Sequence, residues 1–159
     1  MQLPTKADTF AFGERLASVL RPGDLVVLNG PLGAGKTALT QGVGAGLGVA
    51  GPVVSPTFVI ARVHRGGRLP LVHVDAYRLK SLDEVDDLDL DVDTADSVTV
   101  VEWGQGLVEQ LASSWLRIDI SRDDDSERRQ ARLVGHGGDW DVRLESLAAG
   151  RAGHGPDSF

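Results

Sequence analysis

The residues best able to do chemistry are Gly30-Pro-Leu-Gly-Ala-Gly-Lys-Thr37. They read G-x-x-x-x-G-K-[ST], the spacing of a phosphate-binding loop of nucleoside triphosphatases. The flanks agree with that reading. Leu25-Val-Val-Leu28 before the loop is apolar and β-branched, as a buried parallel strand is. Thr37–Gln41 after it opens a helical pattern. Gly30, Gly33 and Gly35 allow a backbone that turns its N–H groups toward phosphate oxygens, and the helix start adds partial positive charge. The candidate nucleotide-binding set is therefore Gly33, Ala34, Gly35, Lys36, Thr37 and Ala38. Lys36 would reach the β- and γ-phosphates of ATP, and the Thr37 hydroxyl would ligate Mg²⁺.

Hydrolysis also needs an acid near the metal and a group to orient water. Two apolar strands end in one: Leu71-Val-His-Val-Asp75 and Val98-Thr-Val-Val-Glu102. In α/β sheets ligands sit beyond the C-terminal strand ends, so both carboxylates fall where Mg²⁺ chemistry wants them. Asp75 and Glu102 are thus candidate catalytic and metal residues alongside Lys36. Ser55-Pro-Thr-Phe58 lies where switch segments approach a γ-phosphate, which makes Thr57 a candidate; a Ser-Pro turn before a strand explains it equally well. Trp103 could stack on a nucleotide or partner, or close the core. His64 and His73, scattered on strands without a partner at metal spacing, read as structural. Arg62, Arg65 and Arg68 read as a solvated turn or a docking patch. Thr5-Lys-Ala-Asp8 imitates a guanine-reading motif, but no strand precedes it and Asp8 reads as a helix cap, which slightly favours ATP over GTP.

The elements that must hold these residues follow from periodicity. An amphipathic helix is expected over 8–20, with Phe12, Leu16, Val19 and Leu20 on one face and Pro22-Gly23 ending it. Strand 25–29, the loop and a helix to about Leu47 come next. Gly42, Gly44 and Gly46 in that helix call for close packing or fraying. Thr57–His64 and Leu69–Asp75, joined by Arg65-Gly-Gly-Arg68, read as a hairpin. Leu82, Val85 and Leu88 have helical spacing in the acidic stretch 81–96, whose Asp83–Asp96 part carries eight acids and no base; it reads as a solvated helix and loop. Ser97–Glu102 is a buried strand, followed by a short helix near Leu107–Ala112. Leu116–Ser121 and Gln130–Val134 read as a late antiparallel pair, Asp139–Leu147 as a final helix. The expected fold class is α/β: a single P-loop NTPase-like domain over 1–148 with a mixed, mostly parallel central sheet flanked by helices, and a tail over 149–159 expected to be disordered.

Composition narrows the function. The 159 residues fit one domain and carry no cysteine, which excludes a disulfide framework and thiolate zinc. No apolar run approaches membrane-spanning length and the first residues lack a signal-peptide core, so a cytoplasmic protein is expected. A net charge of −7 has the wrong sign for gripping DNA or RNA alone. Any RNA is expected on a partner.

Together GPLGAGKT, SPTF, HVDAYRL and VVEWG closely resemble the TsaE (YjeE) family of bacterial P-loop ATPases, from the first helix to about Ser121. The phosphate loop is common to many proteins; the combination SPT[FY], H-x-D-x-YRL and VEW is far more specific. The family often has aspartate where this chain has Pro31, a position that turns its backbone to phosphate, so nucleotide binding is expected to survive. The resemblance implies ATP or ADP with Mg²⁺ at Gly33–Thr37, Asp75 and Glu102 near the metal, Glu102 orienting water, and Thr57 in a switch-like segment. It implies an ATPase of low intrinsic activity serving N6-threonylcarbamoyladenosine formation in tRNA with the partners TsaB and TsaD, and meeting tRNA only through them. A small-molecule kinase and a nucleotide-gated binding module remain as alternatives; the acidic rather than arginine-rich stretch after Arg78 counts against the kinase.

Overall fold

A computed structural model describes residues 1–31, 33–53, 61–75, 94–102 and 113–152. Among these, seven strands form one sheet: β1 (Gln2–Leu3), β2 (Leu25–Asn29), β3 (Ala61–His64), β4 (Leu71–Asp75), β5 (Val98–Glu102), β6 (Trp115–Arg122) and β7 (Arg129–His136). Their spatial order is β1-β7-β6-β2-β5-β4-β3. The inner four, β6, β2, β5 and β4, run parallel. β3 turns back on β4, and β7 on β6. β1 is antiparallel to β7 and so runs with the inner four. Mostly parallel in the middle and antiparallel at the rims, the sheet matches the expected class, including the hairpin and the late pair. That late pair is longer than its apolar core suggested, because Trp115 and His136 still pair at its far end and their rings stack at 4.7 Å.

β2 lies between β5 and β6, so the loop that follows it opens at the middle of the sheet. Its residues Leu25–Leu28 are all buried, because neighbouring strands take its backbone groups and both faces are covered. Helices α1 (Lys6–Ala17) and α2 (Lys36–Leu47) pack together over one face. Phe12, Leu16, Leu39 and Val43 meet Val26, Leu28, Leu71, Val98 and Ile118 in the core.

α1 begins two residues earlier than its apolar pattern. Thr5 is its N-cap and Asp8 closes a capping box, accepting from the Thr5 N–H at 2.9 Å and the Thr5 hydroxyl at 2.7 Å. Asp8 is therefore the third helical residue and not the cap itself. Its carboxylate is spent on the helix, as the rejection of the guanine motif requires. The helix ends at Ala17, short of the expected Leu20, with tighter i−3 bonds in Val19 and Leu20 finishing the turn.

The glycines of α2 pack and do not fray. A Cβ on Gly42 would collide with the Phe10 carbonyl, and one on Gly13 of α1 with the Leu39 carbonyl. Each helix lacks a side chain where the other's backbone passes. Arg68, expected in a solvated or docking turn, instead donates to the Ala17 and Leu20 carbonyls at 2.8 and 3.1 Å and caps the end of α1.

α3 (Trp140–Ala152) runs past Leu147, through residues expected in the tail. It docks through Trp140, which is 1% exposed and donates to the Ser114 hydroxyl at 3.1 Å. Arg143 lies 3.9 Å above the Trp140 ring. It forks onto the Asp24 carboxylate at 2.5 and 3.0 Å, and reaches Asp139 at 3.0 Å and the Val19 carbonyl at 3.1 Å. Arg21 holds the other Asp139 oxygen at 2.7 Å. Of the acidic stretch, only a single 3-10 turn at Thr94–Asp96 belongs to the described residues; its expected helix positions Leu82, Val85 and Leu88, and the helix expected near 107–112, lie outside them.

Candidate functional site

The loop between β2 and α2 has the backbone its sequence demands. Gly33 and Gly35 sit at φ 78° and 105°, in the left-handed region that side chains disfavour. Gly35 is also the N-cap of α2, and no side chain caps that helix start. The local geometry aims a helix N-terminus at whatever occupies the loop, which is an anion site. Ala34 and Ala38 are buried beneath it, while Gly33 and Thr37 face outward. Pro31 joins in through its carbonyl, which accepts from the Ala34 N–H at 3.1 Å and lies 3.5 Å from Lys36 Nζ. Any residue supplies that carbonyl, so proline in place of aspartate leaves this part of the loop intact.

Lys36 is 6% exposed, and its Nζ donates to the Gly30 carbonyl at 2.5 Å. Burial lowers its pKa, and the carboxylates of Glu102 and Asp75 act against that shift. Both acids therefore lie close enough to stabilise the ammonium. Parallel register explains how: Asp75 at the end of β4 is the partner of Glu102 at the end of β5, and Glu102 that of Leu28 at the end of β2. Three strands finish side by side at the loop's edge.

A cavity of about 290 Å³ collects the set, with Gly33, Gly35, Lys36, Thr37, Ala38 and Glu102 in its wall. A larger cleft of about 670 Å³, near Ile120, Leu133, Leu144 and Leu147, contains none of the described phosphate-loop residues. The glycine cradle fits a polyphosphate. The hydroxyl of Thr37 and the two carboxylates are hard oxygen donors suited to Mg²⁺. Among the described residues no three His, Cys, Asp or Glu side chains cluster to hold a metal by themselves. Mg²⁺ does not require such a cage, since one or two carboxylates plus phosphate oxygens suffice.

Three residues join the site without having been expected there. His73 is completely buried, with Nε2 3.3 Å from Glu102 Oε1; neither atom has a hydrogen-bond partner among the described residues. The H-x-D spacing carried the signal, because residues two apart on a strand share a face. Lys6 and Arg129 also line the cavity. Arg129 had no local signal, since only sheet order brings β7 to the loop. Thr57 and Trp103 lie outside the described residues.

Comparison with known proteins agrees with this geometry. The family model described as "Threonylcarbamoyl adenosine biosynthesis protein TsaE" matches residues 3–131. The chain is 58% identical over 144 residues to the tRNA threonylcarbamoyladenosine biosynthesis protein TsaE of Streptomyces coelicolor, covering 87% of this chain and 97% of that one. To the protein of the same name from Bacillus subtilis it is 39% identical over 142 residues, covering 89% and 88%. The crystal structure of YdiB from Bacillus subtilis superposes with a TM-score of 0.75 at 31% identity, covering 95% of this chain and 94% of that one. A phosphate loop at the sheet centre, two carboxylates at the adjoining strand ends and these matches together make the chain a member of the TsaE family.

Proposed function

We propose that the protein is a Mg²⁺-dependent ATPase of the cytoplasm that serves threonylcarbamoyladenosine formation in tRNA, acting with TsaB and TsaD to support repeated transferase cycles. The observation that carries this reading is one cavity lined by Lys36, Thr37 and Glu102 together. A bare phosphate loop binds; a loop with a carboxylate across the cavity can also hydrolyse.

The roles follow from position. Loop N–H groups and the start of α2 hold the phosphates. Lys36 supplies a buried ammonium, held at the loop by the Gly30 carbonyl, whose charge the two acids sustain. The Thr37 hydroxyl and the carboxylates of Asp75 and Glu102 would hold Mg²⁺, which would supply positive charge to the phosphates. Glu102 accepts a hydrogen bond from the attacking water and aligns it with the γ-phosphate.

Phosphate release measured with and without TsaB and TsaD tests the reading. Turnover is expected to be low alone and to rise with both partners present. No stimulation, with no change in tRNA modification, would sink it. Lys36→Ala is expected to abolish turnover and weaken ATP binding, while Glu102→Ala abolishes turnover and leaves more binding than Lys36→Ala does. Normal hydrolysis by Glu102→Ala would remove the role given to Glu102.

A further inference from the structure

The two carboxylate oxygens of Glu102 have different surroundings. Oε1 is buried with no hydrogen-bond partner among the described residues, although Glu102 lines the phosphate cavity and its side chain is 10% exposed. That leaves Oε2 as the oxygen open to the cavity. A glutamate side chain turns about three bonds. An acid that must present one oxygen to a water at a fixed place therefore needs its other oxygen held.

What stands behind Oε1 is His73. The register of β4 and β5 pairs His73 with Val100 and Asp75 with Glu102. Side chains two residues apart on a strand share a face, so His73 sits one diagonal step from Glu102 on the face that also carries Asp75. Its Nε2 is 3.3 Å from Oε1.

An imidazole is a costly way to fill this space. His73 is completely buried, and neither ring nitrogen has a hydrogen-bond partner among the described residues. Its strand neighbours Leu71, Val72 and Val74 are buried and apolar, and a leucine here would leave no polar atom unpaired. A bare Nε2 against Oε1 would set two acceptors together, so the hydrogen belongs on Nε2. The separation is that of a hydrogen bond, although the two groups are not yet aligned as one. Bonds of this kind tighten when the reacting complex forms. With no exposed surface, His73 cannot touch a ligand, and whatever it contributes passes through its neighbours.

We propose that His73 is a positioning residue for Glu102: its Nε2–H donates to Glu102 Oε1 and so fixes Oε2 toward the attacking water. The inference rests on the role given to Glu102 above.

Steady-state phosphate release in the presence of TsaB and TsaD tests it on the wild type, Glu102→Gln, His73→Leu, His73→Gln and His73→Asn, with ATP affinity and an unfolding midpoint for each. His73→Leu fills the space without a donor. It is expected to lower kcat about 10- to 100-fold, the cost of a loosely placed reacting group, with KM for ATP and ATP affinity unchanged. The amide nitrogen of glutamine can stand where Nε2 stands, and that of asparagine where Nδ1 stands. His73→Gln is therefore expected to recover most of the loss and His73→Asn little. A role in packing alone would not favour glutamine over asparagine at kcat. A wild type without stimulated release, or wild-type turnover by Glu102→Gln, would overturn the role given to Glu102 and this inference with it. If Glu102→Gln is inactive but His73→Leu keeps the wild-type kcat, or loses ATP affinity in place of kcat, the assignment of His73 alone is overturned. Should His73→Leu not fold, equal kcat in His73→Gln and His73→Asn would have the same force.

Discussion

The protein holds buried charge in two opposite ways. Where α3 docks, Arg143 has a partner for each donor nitrogen: Asp24 twice, Asp139, the Val19 carbonyl, and the Trp140 ring beneath it. At the phosphate site, His73, Glu102 and Arg129 keep buried polar atoms with no hydrogen-bond partner among the described residues. Both regions remove charge from water. Only the first completes the exchange within the chain. A saturated network is fitted to hold a fold, while idle donors and acceptors around a glycine cradle are fitted to receive something else.

If that contrast is sound, mutations in the two regions have effects of different kinds. The largest is expected at Glu102. Glu102→Gln should lower partner-stimulated phosphate release by about 10²–10⁴-fold, the usual range for a positioned acid or base. Its thermal midpoint should change little, because relief of a buried carboxylate oxygen without a partner offsets the lost attraction to the Lys36 ammonium. A collapse in stability would place Glu102 with the structural charges.

Arg143→Met reverses the pattern. Leaving the Asp24 carboxylate, whose side chain is only 10% exposed, with the Arg21 N–H but no cation should cost about 3 kcal/mol in urea unfolding. The folded variant should bind ATP at the wild-type affinity. Removing both charges together, as Asp24→Leu with Arg143→Met, should recover most of the loss.

A smaller effect tests the rear of α2, whose front opens the phosphate site. Gly42→Ala forces a methyl group against the Phe10 carbonyl. It should lower stability by about 1–3 kcal/mol and leave hydrolysis by the folded fraction unchanged. The smallest is expected at Asp139. Hydrogen bonds from Arg21 and then Arg143 hold its carboxyl below the ordinary 3.8. Its contribution is therefore complete above that value and disappears as pH falls through the lowered folded one. Unfolding midpoints followed from pH ~5 to ~2 should lose part of their acid sensitivity in Asp139→Asn.

What was legible in the sequence divides along the same line. β2, β4 and β5 declared themselves as apolar runs, and Asp75 and Glu102 as their acidic ends. Lys36 and Thr37 came from a motif that specifies backbone geometry. Each of these signals is local. The final helix was read too short, because Ala148 and Ala149 continue it without an apolar stripe. β1 was missed because two residues carry no period. Arg129 was missed because only sheet order brings β7 to the loop, and Lys6 because the packing of α1 on α2 brings it there. His73 had been set aside for want of a metal-spaced partner, and its actual neighbour is an acid on the next strand.

The seam at Gly13 and Gly42 has a mechanical consequence. At these two points backbone lies against backbone, with no side chain between α1 and α2 to absorb a displacement. The first residues of the two helices, Lys6 and Lys36, both line the phosphate cavity. A displacement of α2 at the phosphate end would therefore press on α1 at the seam, some distance from where it arose.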